Sequence, residues 1–248
     1  MTLNEFFQEH SKVALAFSGG VDSAFLLYSA IQAGAKVTAY YVKSAFQPEF
    51  ELEDARKLAC QLGAEMKMIP VDILCDSRVA QNSKDRCYYC KQNIFSEIQK
   101  AASSDGYTEI IDGTNASDDC EDRPGMRALK EMKVLSPLRL CSLTKAQIRR
   151  QSQTAGLFTW NKPAYACLAT RIPAGEPVTA EKLHRTEIAE EYLFSLGFQD
   201  FRVRSAGDTA KLQMRQEDLG RLMKYREQIL SELKKYYRDV LLDLDVRK

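Results

Sequence analysis

Histidine is nearly missing from this chain: His10 and His184 are the two it has among 248 residues. Neither falls in a motif, which argues against acid–base catalysis built on imidazole. Net charge is scarce too. Thirty-five Lys and Arg against thirty-four Asp and Glu leave +1 at pH 7. That balance argues against wholesale binding to nucleic acid or to a membrane surface, while leaving room for a local basic patch. No stretch approaches the roughly 20 apolar residues that span a bilayer. The opening MTLNEFFQEH is acidic and lacks the apolar run of a secretory leader. The expected compartment is the cytoplasm, where thiols stay reduced, so a structural disulfide between Cys87 and Cys90 is the weaker reading. There is no internal repeat and no low-complexity segment. The chain holds neither the phosphate-loop pattern G-x-x-x-x-G-K-[ST] nor the dinucleotide pattern G-x-G-x-x-G.

What is present suffices for a core. Hydrophobic residues make up 45% of the chain and charged residues 28%, ordinary values for a globular protein. The length fits one large domain or two modest ones. KVALAF (12–17), KVTAYYV (36–42), EMKMIPV (65–71) and TEIIDGT (108–114) read as strands, with KVLSPL (133–138) a weaker fifth. Helical patterns fall between them at 22–34, 50–63 and 90–102. A further one spans 144–156, with Thr144 as its N-cap. This alternation predicts an α/β fold with a doubly wound parallel sheet. The grammar changes after about residue 165. A long helix (179–197), FRVRS (201–205), AKLQMR (210–215), a second long helix (216–236) and DVLLDL (239–244) predict a smaller α+β domain. Residues 1–165 are then a nucleotide-binding domain and 166–248 a substrate and oligomerisation domain, with RIPAGEP (171–177) as the linker.

The first strand runs into FSGGVDS (17–23), which opens the first helix. Gly19 and Gly20 let a backbone approach a ligand closely, and Ser18, Ser23 and the helix-start amides suit an anion. The carboxyl end of a first strand is where an open α/β sheet binds its ligand. A plain strand-to-helix turn is the alternative. DGTNASDDCEDRPG (112–125) follows the fourth strand and offers Asp112, Asn115, Asp118, Asp119, Asp122 and Arg123 beside the same cleft; a polar surface loop is the alternative there. In FRVRS, Arg202 and Arg204 share one face of a strand, where two guanidinium groups can clamp a phosphate or simply face solvent.

The loop resembles the S-G-G-x-D-S signature of the pyrophosphatase-loop, or adenine nucleotide alpha-hydrolase, superfamily. It matches in full at Ser18, Gly19, Gly20, Asp22 and Ser23. The resemblance implies ATP cleaved between the alpha and beta phosphates, pyrophosphate held by the loop, and Mg²⁺ placed with help from Asp22. Over essentially the whole chain, S-G-G-x-D-S, D-R-C-Y-Y-C-K, D-G-T-N…D-x-R-P-G, C-L-A-T-R-I-P and F-R-V-R resemble, in that order, the ATP-dependent sacrificial sulfur transferases of the LarE family. That family adenylates pyridinium-3,5-biscarboxylic acid mononucleotide and installs sulfur for the nickel-pincer cofactor. The implied nucleotide-binding residues are those of the loop with Asp112, Asn115 and Arg123. Cys167, Asp22 and Arg171 are the implied catalytic residues; Arg202, Arg204 and Glu190, with Arg171 beside them, are implied at the substrate phosphate, and the family suggests a homo-oligomer.

The cysteines depart from the single-cysteine members, in which one residue near C-L-A-T-R-I-P gives up its own sulfur. Cys87, Cys90 and Cys167 match the three-cysteine members. For these a [4Fe-4S] cluster is implied, able to carry an exogenous sulfide. Zinc is the open alternative for C-x-x-C, although the two histidines lie far from it in sequence; two plain cysteines are another. Cys60, Cys75, Cys120 and Cys141 read as structural, Cys60 as a small buried hydrophobe of an amphipathic helix. Rival functions on the same fold are a tRNA-thiolating enzyme, which needs a basic surface, an amidating ligase of the NAD-synthetase kind, and a non-catalytic ATP-binding regulator.

Overall fold

The computed structural model describes residues 1–118 and 123–247, so Asp119, Cys120 and Asp122 lie outside the described residues. The chain divides into two units, Met1–Ile73 with Asp85–Tyr165, and Leu74–Lys84 with Ala166–Lys248. The early segment Leu74–Lys84 thus travels with the C-terminal part of the chain.

In the first unit β1 (Lys12–Ala16), β2 (Lys36–Lys43), β3 (Glu65–Pro70) and β4 (Ile110–Ile111) form one parallel sheet in the order β3-β2-β1-β4. The central strands read as unbroken apolar runs because helices cover both faces. Val13, Leu15, Ala39 and Tyr41 pack with Phe6, Leu26 and Leu58 on one face. Ala14, Tyr40 and Val42 pack with Ile98, Ala102 and Tyr107 on the other. The strand order turns back between β1 and β4, and the crevice at such a reversal is where this class of sheet places its ligand. FSGGVDS leaves the end of β1 and DGTN leaves the end of β4.

Three expectations need correction here. The fourth strand shrinks to two residues and the fifth to a single parallel bridge between Ile111 and Leu135. Side-chain bonds take over from the ladder. Asp112 accepts from the Thr114 N–H and hydroxyl and from Ser136 Oγ, and Pro137 then opens a short helix. The C-x-x-C helix starts at Arg86 and runs to Ser104, so both cysteines lie inside it. Its first turn is tied by Gln92 Nε2 donating to Tyr88 Oη and by Tyr88 donating to Glu131.

In the second unit β5 (Arg202–Ala206) and β6 (Thr209–Gln213) pair antiparallel around Gly207–Asp208, and β7 (Asp239–Leu242) joins β6 in parallel. The helix Ala180–Ser195 buries Ala189 and Leu193 against Phe198, Val203 and Leu212. The expected helix 216–236 is broken. A 3₁₀ turn, Leu219–Lys224 and Arg226–Leu233 replace it, with Tyr225 non-helical between the last two and edge-on to Phe198.

Candidate functional site

The glycine loop is shaped by steric necessity. Gly19 has φ +72°, a left-handed conformation that disfavours a side chain, and a Cβ there would stand 2.9 Å from the Cβ of Ala55. Gly20 N-caps the helix Val21–Gln32 in extended conformation. The Gly20 N–H donates to Ser18 Oγ at 3.3 Å, Ser23 Oγ donates to the Gly20 carbonyl at 3.3 Å, and the two serine hydroxyls lie 3.1 Å apart. The result is a preformed turn that aims a helix N-terminus at the end of β1, an arrangement suited to phosphate oxygens.

The loop after β4 is pressed against the same helix end. A Cβ on Gly113 would stand 2.9 Å from the Ser23 nitrogen, so only glycine lets the two segments meet this closely. Asn115 Nδ2 donates to Asp22 Oδ1 at 3.3 Å, and the Asn115 N–H donates to Asp118 Oδ2. Asp112 is buried and holds the turn through Thr114 and Ser136. Ser18, Gly19, Gly20, Asp22, Ser23, Asp112 and Asn115 are therefore brought together. Arg123 is exposed and N-caps the helix Pro124–Glu131, whose Gly125 packs on the Cys87 carbonyl and the Lys91 side chain, placing it by the cysteine turn.

Sequence reasoning missed Lys145. Its Nζ donates to Asp22 Oδ2 at 2.5 Å, across 123 positions of chain. Burial pushes the Asp22 carboxyl above its usual range, the Lys145 ammonium pulls it back, and the Asp118 carboxylate adds to the rise. The signal available was Thr144: it caps the helix with Gln147, which puts a cation on the first helical residue, where the macrodipole opposes it.

In the second unit Arg171 and Glu190 are buried as a bidentate pair, Nε to Oε1 at 2.8 Å and Nη2 to Oε2 at 3.1 Å. Arg171 Nη1 also donates to the Ala166 carbonyl and to Thr170 Oγ1, while Glu190 Oε1 accepts from the Val203 N–H. These two residues, expected at the substrate phosphate, pin the 3₁₀ turn Leu168–Arg171 that Cys167 N-caps to the start of β5. Arg202 and Arg204 are the more open pair. Arg204 bonds Gln213 and the Thr170 carbonyl, and the Arg202 guanidinium has no hydrogen bond or ion pair among the described residues. Burial and the like charges of Arg247 and Arg171 lower both guanidinium groups below their usual range. An arriving dianion would relieve that repulsion.

Cys87 is exposed and Cys90 half-buried, one turn apart on one helix, with Arg86 Nη2 3.6 Å from Cys87 Sγ; Cys167 is half-buried in the second unit. Among the described residues no disulfide forms, and no group of three or more His, Cys, Asp or Glu side chains is placed to hold a metal ion. Cys60 is exposed, because the buried face of its helix belongs to Leu52, Ala55, Leu58 and Ala59; the reading of it as a buried hydrophobe fails. Among the described residues no helix is long and apolar enough to cross a membrane.

A parallel sheet with S-G-G-V-D-S at its switch point defines an ATP-binding enzyme of the pyrophosphatase-loop class with the adenine nucleotide alpha-hydrolase fold. Residues 12–85 match the family described as queuosine biosynthesis protein QueC. The protein slr1717 of Synechocystis sp. is 38% identical over 221 residues, 88% of this chain and 81% of its own. The pyridinium-3,5-bisthiocarboxylic acid mononucleotide synthase of Lactiplantibacillus plantarum is 31% identical over 246 residues, 98% of this chain and 89% of its own. MJ0830 of Methanocaldococcus jannaschii is 28% identical over 239 residues, 96% and 91%. The chain belongs to the family of that synthase, the LarE family of ATP-dependent sulfur transferases.

Proposed function

We propose that this chain adenylates a carboxylate of pyridinium-3,5-biscarboxylic acid mononucleotide and replaces the activated oxygen with sulfur, giving a thiocarboxylate for nickel-pincer cofactor synthesis. The observation that carries this is the complete, sterically enforced loop in a chain similar along 98% of its length to a synthase named for the bisthiocarboxylic product. A carboxylate oxygen is a poor leaving group. Its attack on the alpha phosphorus forms an O–P bond as the bond to the bridging oxygen breaks. Pyrophosphate departs and an acyl adenylate is left, from which a sulfur nucleophile displaces AMP.

The loop amides with Ser18 and Ser23 hold the phosphates, and Asp112 and Asn115 set the facing turn. Asp22 suits Mg²⁺, which binds through one or two carboxylates together with substrate phosphates. Arg202 and Arg204 clamp the substrate's phosphate, while Arg171 and Glu190 position the Cys167 turn. Arg123 is assigned to the nucleotide side.

For sulfur delivery we assign Cys87, Cys90 and Cys167 as ligands of a [4Fe-4S] cluster. The donor chemistry supports this reading: three thiols, two of them one helical turn apart on one helix, are the ligand type such a cluster takes. When bound, such a cluster supplies an iron without a protein ligand that can carry sulfide from an external donor. The first unit then serves ATP and the second the substrate phosphate, in a cytoplasmic homo-oligomer. The test is anaerobic incubation with ATP, Mg²⁺, sulfide and the biscarboxylic mononucleotide. AMP, pyrophosphate and a thiocarboxylate in equal amounts are expected. ATP turned over with ammonia to an amide, or no pyrophosphate at all, would overturn the assignment.

A further inference from the structure

We infer that Lys145 is a phosphate-binding residue held in reserve: it neutralises Asp22 while the loop is empty and passes to the ATP phosphates when a divalent cation takes its place on that carboxylate. The inference rests on the adenylating reading above and adds to it a residue and an order of events.

Lys145 stands where a lysine is unfavourable. It is the first residue of the ten-residue helix Lys145–Thr154, at the positive end of the dipole. The backbone there is fixed firmly. The Thr144 hydroxyl accepts from the Gln147 N–H, the Gln147 side chain reaches back to the Thr144 N–H, and the Lys145 N–H donates to Ser117 Oγ at 3.0 Å. Ser117 belongs to the turn after β4, so the helix start and the nucleotide turn are one rigid unit. The ammonium is thereby aimed at the loop while a third of the side chain stays open to solvent.

The groups facing Asp22 divide into fixed and movable. Asn115 is held in its turn and Asp118 caps that turn. Arg149, one helical turn beyond Lys145 and acting on Asp22 through space, is committed to the carbonyls of Trp160 and Lys162 at 2.6 and 2.8 Å. Lys145 has no second anchor for its ammonium among the described residues. It is also the cation closest to the loop's carboxylate, so a metal that binds Asp22 must share it with Lys145 or displace it. Displacement brings a donor of positive charge toward the phosphates as negative charge grows on the departing pyrophosphate. No proton is transferred in this step: the ammonium donates hydrogen bonds, and the electron pair of the breaking P–O bond stays on pyrophosphate.

The test uses the full chain and Mn²⁺ as the probe, read by electron paramagnetic resonance at pH 8 without nucleotide. Lys145→Met is expected to bind Mn²⁺ about tenfold more tightly than wild type, the scale of one removed competing charge at short range. The gain is expected to vanish in Asp22→Asn/Lys145→Met. Equal or weaker Mn²⁺ binding in Lys145→Met overturns the inference. In the turnover assay Lys145→Met should release pyrophosphate about 10²-fold more slowly, as for other lost donors to transition-state charge, with Lys145→Arg retaining most of the rate. A Lys145→Met enzyme as fast as wild type removes the Lys145 assignment alone. A wild type that makes no pyrophosphate from ATP removes the adenylating reading itself. Matching circular dichroism and melting temperature establish that the variants are folded.

Discussion

Gly19 carries two constraints at once, a left-handed backbone and a 2.9 Å approach to Ala55. Gly34 carries the first without the second, with φ +75° and nothing within 4 Å of a built Cβ. Each change to alanine should cost about 1 kcal/mol in conformational strain. Gly19→Ala must in addition push the loop off the helix Glu49–Gln61, so calorimetry should find ATP binding lost there and kept in Gly34→Ala. Equal ATP affinity in the two variants would sink the steric account. Asp22 gives a second prediction at this scale. Its folded carboxyl lies above the ordinary 3.8. The folded state therefore holds the proton more tightly than the unfolded one, and the stability this lends is full below pH 3.8 and lost as pH rises through the folded value. At neutral pH the ionised group is a cost of burial that Lys145 only partly offsets. Asp22→Asn should then melt higher than wild type at pH 7 and indistinguishably below pH 3.8. A lower melting temperature at pH 7 would mean that the Lys145 pair outweighs desolvation.

Among the elements, Leu74–Lys84 depends on one residue. Asn82 is buried at φ +56°, and its Nδ2 lies within 2.8, 2.9 and 3.4 Å of the carbonyl oxygens of Pro173, Glu176 and Ile172. Its own carbonyl accepts from Gly175, and that of Ala80 accepts from Val178. Asn82→Ala strips a buried donor from those acceptors at a cost of about 1–3 kcal/mol. Hydrogen exchange should show protection falling over residues 74–84 and 171–178 while β1 and β2 are unchanged; uniform loss across the chain would refute a local clasp. This clasp was illegible in the sequence because its partners lie about ninety positions away and no periodicity marks it. β1, β2 and β3 were legible for the opposite reason: burial on both faces writes a continuous apolar run. The strands at 108–114 and 133–138 were overstated because backbone pairing ends at Asp112, whose carboxylate then accepts from Thr114 and Ser136. The site divides along the same line. The glycine loop is local and was read whole. Lys145 depends on a contact across 123 positions. A buried Arg171–Glu190 pair looks, in sequence, the same as two ligand-binding charges.

For the whole molecule the consequence lies in the cysteines. Cys87 and Cys90 belong to one unit and Cys167 to the other, and the second unit is itself assembled from two stretches of chain. A cluster bound by all three would draw its ligands from both units. Anaerobically purified chain should then carry about four iron and four sulfide, lost in Cys87→Ala and in Cys167→Ala alike. A ligand bound only by the native state stabilises whatever it bridges. The loaded protein should therefore melt at a higher temperature than the metal-free protein, and the difference should vanish in Cys87→Ala. Iron retained at the same stoichiometry in Cys167→Ala would confine the cluster to the first unit. No iron in wild type would remove the cluster and leave Cys167 as the sulfur source. Each turnover would then convert Cys167 to dehydroalanine, visible by mass spectrometry as the loss of hydrogen sulfide from the chain. In that event the Glu190–Arg171 pair would position a spent reagent rather than a recycling ligand, and activity would stop at one product per chain.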